Sequence, residues 1–170
     1  SIIPVGNEMP EISLPYEKSY TIPALTPFEL TATGTDEDSA NLTYTWEQYD
    51  LEPLITSIDE PRGNAPLFRS VYPSASPTRT FPNLQTILRN RTDNEENLPS
   101  YTRTMRFRAT VRDNHPVAGA AVWAPYTLFA DSTAGPFLVT APNQSESWEI
   151  GSYQEVTWDV ANTDNPRINS

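Results

Sequence analysis

Proline occupies 17 of the 170 positions and recurs along the whole chain. Ordinary usage is about 5%. Inside a helix each proline removes a hydrogen bond and clashes with the preceding turn. Long helices and coiled coils are therefore excluded before any periodicity is read. What remains is a series of short β-rich stretches separated by proline or by Asn, Asp and Gly clusters, the pattern of a β-sandwich. A chain of this length buries roughly 70% of its unfolded surface, which is enough for a true core.

Residues 1–10, with Pro4, Gly6, Asn7 and Pro10, show no periodicity and read as a linker. Strands are expected at Tyr20–Pro23 and Phe28–Thr33, followed by a turn through Asp36, Glu37 and Asp38. The clearest alternation runs from Leu42 to Tyr49 and places Leu42, Tyr44 and Trp46 on one face. Residues 51–100 hold seven prolines and read as a packed, irregular insertion, with one or two helical turns over Asn83–Asn90. Strands resume at Thr102–Arg112 and Ala118–Ala130, where Pro125 requires an edge position or a bulge. After Gly135, Phe137–Thr140 and Gln154–Val160 are two further strands, too few to close a sandwich. The expected organisation is a linker over 1–10, an all-β sandwich over 11–134 and the opening of a second sandwich over 135–170. Its predicted core holds Phe28, Leu30, Leu42, Tyr44, Trp46, Met105, Phe107, Ala109 and Val111.

Charge narrows the function classes. Eleven basic residues face 22 acids, for a net charge of −11. Such a chain repels phosphate backbones and anionic lipid heads, so nucleic acid is not an expected partner. No apolar run reaches the roughly 18 residues of a membrane span, so no membrane insertion is expected. Ser1-Ile2-Ile3-Pro4 lacks the basic and long apolar regions of a signal peptide. The absence of cysteine removes disulfides, thiolate chemistry and cysteine-ligated zinc. The sequence contains no His-Glu-x-x-His, Gly-x-Ser-x-Gly or phosphate-binding glycine motif, and the single His115 falls in a hairpin loop. No catalytic residue is expected, and His115 reads as a solvated loop histidine.

Two acidic turns converge if the chain is an Ig-like sandwich. Asp36-Glu37-Asp38 would then follow strand B, and Asp113-Asn114 strand F, with both strand ends at one pole. Asn7 and Glu8 would enter at the same pole. Asp36, Asp38 and Asp113, with Asn114, Asn7 or Glu8, supply the hard oxygen ligands that calcium takes. Acidic turns also arise simply because Asp and Asn cap turns with their own side chains. Tyr44, Trp46, Phe107 and Trp123 could form a sugar-stacking platform, but alternating aromatics on strands are first read as core. Arg62, Arg69, Arg79, Arg103, Arg106 and Arg108 are first read as partners of internal acids and loop carbonyls.

These residues carry a resemblance. Tyr20-Thr21-Ile22-Pro23, Thr35-Asp36-Glu37-Asp38, Leu42-Thr43-Tyr44-Thr45-Trp46 and Phe107-Arg108-Ala109-Thr110-Val111-Arg112-Asp113-Asn114 resemble the cadherin-like or PKD-like Ig module of secreted bacterial reprolysin-like zinc metalloproteases. Ala134-Gly135-Pro136-Phe137 and Val156-Thr157-Trp158-Asp159-Val160 resemble the start of the next module. Ser39 and Ala40 stand where the family turn carries Gly and a further Asp, which removes one potential calcium ligand. The resemblance implies a secreted or cell-surface, non-catalytic accessory module with no zinc of its own. Its partner would be a preceding catalytic domain of the same polypeptide, which it spaces or orients, or a protein substrate. The alternative is a module of a surface adhesin or stalk.

Overall fold

The computed structural model describes residues 6–15, 19–38, 41–51, 61–91 and 94–168. Residues 1–5 of the expected linker, Ser39 and Ala40 of the acidic turn, and residues 52–60 of the expected insertion lie outside them. The described residues form strands β1 (Glu11–Ser13), β2 (Ser19–Pro23), β3 (Phe28–Thr31), β4 (Thr33–Thr35), β5 (Thr43–Gln48) and β6 (Thr78–Phe81). The short helix α1 (Leu84–Leu88) follows, then β7 (Arg103–Arg112), β8 (Ala121–Asp131), β9 (Leu138–Ala141) and β10 (Thr157–Asp159). The fold is mostly β and sandwich-like, and the one helix among the described residues is five residues long.

One layer is a four-stranded sheet in the order β2-β8-β7-β5. Its β5–β7 and β7–β8 pairs are antiparallel, and β2 runs parallel to β8. The other layer contains β1 paired with β4 and β3 paired with β6, both antiparallel. Only Ala32 separates β3 from β4, and its N–H donates to the Pro77 carbonyl at 3.2 Å. On β7, Met105, Phe107, Ala109 and Val111 are buried and their neighbours face the other way, as period-two alternation demands. Met105, Phe107 and Ala109 meet Ile22, Leu30, Trp46, Phe81, Tyr126 and Leu128 in one core. Of the predicted core set, Phe28, Leu42 and Tyr44 are half-buried and the rest fully buried.

Pro125 lies within β8 opposite Arg108 of β7, in the part of the strand that β2 does not reach. Its missing N–H therefore costs no bond to β2. Trp123 corrects the core reading of the aromatics: it is 59% exposed, whereas Trp46 and Phe107 are inside. Tyr126, Leu128 and Ala130 turn inward from β8, and Trp123 lies on the opposite parity.

The described part of the proline-rich region contains a strand, β6, where none was expected. Phe68 and Phe81 from this region join Phe28 and Phe107, with Phe28 and Phe81 stacked at 5.0 Å. Gln48 Oε1 accepts the N–H groups of Leu67 and Phe68 at 2.7 and 3.2 Å, which moors the region to β5. Arg79 of β6 bonds the Trp46 and Arg69 carbonyls and the Glu96 carboxylate. Asn83 caps α1 by accepting the Thr86 N–H, directly after Pro82, as the expected helical turns imply.

Beyond Ala134, β9 and β10 pair antiparallel. Gly135 joins them to the sandwich with φ of +91°, and a Cβ there would stand 2.2 Å from the Ala24 carbonyl oxygen. Only glycine fits this position. Phe137, Leu138, Val139, Ile150, Tyr153 and Trp158 are all exposed in this unit.

Candidate functional site

Strands β4 and β7 end at the same pole of the molecule, and the chain enters there. Close approach sets the geometry: a Cβ on Gly34 would meet Tyr44 Oη at 2.9 Å and Val111 Cγ1 at 3.0 Å. Beyond β4, the Asp38 N–H donates to Asp36 Oδ1 at 3.0 Å, an Asx turn that orders the acidic loop. Beyond β7, Asp113 is 1% exposed.

Asp113 is the centre of the pole. Its Oδ1 accepts the N–H groups of His115 and Ala120 at 3.1 and 2.9 Å. Its Oδ2 accepts Asn7 Nδ2 at 2.7 Å and the Ala120 N–H at 3.0 Å. The Asn7 amide also donates to the Ala118 carbonyl at 2.9 Å. One residue on, the Glu8 N–H donates to Asp38 Oδ2 at 3.0 Å. Two consecutive residues of the entering segment are thus held by the two acidic loops. Asn7 and Asp113 are 106 residues apart in sequence.

The electrostatics follow from these bonds. The Asn7 amide, followed by the His115 and Ala120 N–H groups, holds the Asp113 carboxyl below the usual carboxylate range against the opposing effect of burial. The Glu8 N–H and then the Asp36 side chain lower Asp38, while the Asp113 charge works the other way. His115 belongs to the loop architecture rather than to bulk solvent. It is half-buried, and its Nδ1 accepts the Val117 and Ala118 N–H groups at 3.4 and 3.3 Å. A neutral ring accepting at Nδ1 carries its proton on Nε2.

Of the six expected ligands, Asn7, Glu8, Asp36, Asp38 and Asp113 share this pole. Asn114 sits at φ +55° and turns its amide to the Asn41 carbonyl at 2.7 Å and Thr43 Oγ1 at 3.1 Å. Among the described residues no three Asp, Glu or His side chains form a group able to hold a metal ion. Glu8 takes part here through its backbone N–H. Asn7 Oδ1 is buried with no hydrogen-bond partner. His115 and the Ala118–Ala120 backbone were missed as parts of the site. The Asn114-His115-Pro116 triplet gave only a turn signal.

A groove of about 820 Å³ lies over the proline-rich region between Arg69–Pro73, β6 and Asn83–Leu84. The ion pairs Arg69–Glu95 and Arg79–Glu96 border it. No family model, curated protein or solved structure matches this chain.

Proposed function

We propose that this chain is a non-catalytic accessory module of a secreted metalloprotease, and that its acidic pole fixes the direction in which the chain enters it. The observation that carries the reading is the double tether of Asn7 to Asp113 and of Glu8 to Asp38. A spacer built to orient a neighbour needs its entering segment bonded to the body, because an untethered segment of polar residues samples many directions. The strand pairing supports an Ig-like reading. β1, β3–β4 and β6 take the places of A, B and E, and β5, β7 and β8 those of C, F and G. β2 then crosses to the second sheet and runs parallel to β8. The proline-rich segment occupies the C-to-E and E-to-F connections. The exposed apolar residues after Gly135 support the start of a second module, since a two-stranded unit buries too little to stand alone.

Calcium belongs to this proposal as the ligand of the pole. Asp36, Asp38 and Asp113 are not gathered into a ligand group as they stand; the cation would draw these carboxylates and Asn7 Oδ1, oxygen donors of the kind it takes, together. The cation would lock the same tether that the hydrogen bonds form. The test is thermal unfolding in chelator and in millimolar calcium. A cation bound only by the folded state at a hundredfold excess over its dissociation constant stabilises by about 2.7 kcal/mol. Identical curves for the parent and for Asp36→Ala in both buffers would remove calcium and leave a hydrogen-bonded tether. The accessory reading has its own tests. Upstream sequence of the parent polypeptide carrying His-Glu-x-x-His-x-x-Gly-x-x-His supports it, and tandem sandwiches alone favour the adhesin. Metal-dependent casein hydrolysis by this chain would refute the non-catalytic assignment.

A further inference from the structure

The outer face of the four-stranded sheet has no role in the tether. With Met105, Phe107, Ala109 and Val111 turned inward, the opposite parity of β7 carries Thr104, Arg106, Arg108, Arg112 and the buried Thr110. The same rule on β8 presents Trp123, Pro125, Thr127 and Phe129. The register pairs Thr110 with Trp123, Arg108 with Pro125, Arg106 with Thr127 and Thr104 with Phe129. Trp123 is 59% and Phe129 40% exposed. The Arg106 and Arg108 side chains are 52% and 44% exposed.

The charge of this face opposes that of the chain. Acids outnumber bases 22 to 11 overall, yet the outer positions of β7 and β8 hold three arginines and one acid, Asp131, at the end of β8 and bonded to Thr133. The neighbouring outer positions of β5 and β2 add Glu47 alone. Glu47 bonds Arg108 at 3.0 Å, and the buried Asp50 bonds Arg106 at 3.3 Å. Arg112 donates to Thr45 Oγ1 at 2.8 Å. These bonds hold each guanidinium in place and use only part of its five N–H donors.

We propose that this face binds an acidic polysaccharide, a chain of carboxylate-bearing sugars lying along β8. An exposed indole offers a flat π surface to the C–H face of a sugar ring. Arginines one row away offer the paired N–H groups that fit a carboxylate. Trp123 and Phe129 stand six residues apart, about 20 Å along the strand, the length of roughly four linked sugars. A bound extended peptide takes its affinity from main-chain bonds at a sheet edge. Here the surface is a face, closed by β7 on one side, and Pro125 offers no N–H on the other. The net charge of −11 does not forbid the contact. At 0.1 M salt the screening length is about 10 Å, so arginines touching the glycan outweigh acids on the far layer.

The test is affinity electrophoresis and titration calorimetry at 0.1 M salt with polygalacturonate. Fully methyl-esterified polygalacturonate, polyglutamate and single-stranded DNA serve as comparisons. Variants are Trp123→Ala, Arg106→Gln with Arg108→Gln, and Trp158→Ala as an exposed-tryptophan control, each checked for an unchanged circular dichroism spectrum. The expected result is binding to polygalacturonate that weakens at least tenfold in Trp123→Ala and in the double arginine variant, and is unchanged in Trp158→Ala. The ester form should bind at least tenfold more weakly. Absence of binding, or binding indifferent to Trp123, overturns the proposal. So does equal binding of the ester. Equal binding of polyglutamate or DNA overturns it in favour of a generic anion surface. None of these outcomes bears on the Asn7–Asp113 tether.

Discussion

Replacing Glu96 by Leu should cost this protein more than any exposed substitution, for a reason that lies in its three donors. Glu96 is 7% exposed. Its Oε1 accepts Arg79 Nη2 at 2.6 Å, and its Oε2 accepts the Asn83 N–H and Nδ2 at 2.7 and 2.9 Å. The Arg79 side chain is itself only 10% exposed, so the substitution strands a guanidinium in a site that water barely reaches. Breaking one side of a buried ion pair costs about 3–5 kcal/mol. With a urea slope of about 2 kcal/mol per molar, a loss of about 4 kcal/mol lowers the unfolding midpoint by about 2 M. The double variant Arg79→Met, Glu96→Leu removes both charges and should lose less than the two single changes summed, by more than about 1 kcal/mol. Two carbonyls, of Trp46 and Arg69, still lose their donor in it, so it should not regain the parent midpoint. Urea unfolding of the four proteins, followed by circular dichroism, completes the cycle. A single-variant loss below about 1 kcal/mol, or strict additivity, would refute the reasoning and make the pair a surface ornament.

Gly135→Ala should shift the junction between the sandwich and the β9–β10 unit, because the new Cβ collides with the Ala24 carbonyl. Proteolysis after residue 134 should accelerate, and an unchanged cleavage rate contradicts the steric argument. Phe81→Ala should cost about 3–5 kcal/mol, since Phe81 is fully buried among Phe28, Phe68 and Phe107; a loss under 1 kcal/mol in urea would show that the cluster relaxes. The Asp113 and Asp38 carboxyls are lowered in the folded state. Their stabilisation is therefore present above the unfolded carboxylate value of about 3.9 and is lost as pH falls through the lower folded values. Asn7→Ala removes the largest cause at Asp113, so in melting temperature against pH the variant should melt lower at neutral pH and lose less on acidification, its curve converging with the parent's at low pH. Superimposable acid limbs would count against the tether.

Much of the architecture is legible from neighbouring residues. β7 announces itself because Met105, Phe107, Ala109 and Val111 alternate with polar side chains over ten residues. β5 does so through Tyr44 and Trp46. β6 is hidden because one of its inward positions is Arg79, which breaks the apolar alternation. Its charge is neutralised by Glu96, 17 residues away. No local pattern encodes that partner. Trp123 was legible in principle: counting by twos from Tyr126, Leu128 and Ala130 puts it outside.

The acidic pole divides the same way. Asp36, Asp38 and Asp113 stand out in the sequence because turn chemistry is local, and an Asp after a strand recruits nearby N–H groups wherever the rest of the chain lies. The exclusion of long helices is equally local, since it follows from each proline ring and the residue before it. Pairing is not local. Whether Asn7 reaches Asp113 or Asn114, and whether arginines or aliphatics line the outer face, depends on strand register. A slip of one residue exchanges the two faces of a strand. That register is set by the whole core closing at once, with Phe68 and Phe81 from the proline-rich region filling the space between two sheets. Steric and turn preferences act over a few bonds and can be read along the chain, whereas burial is shared among residues that meet only after folding.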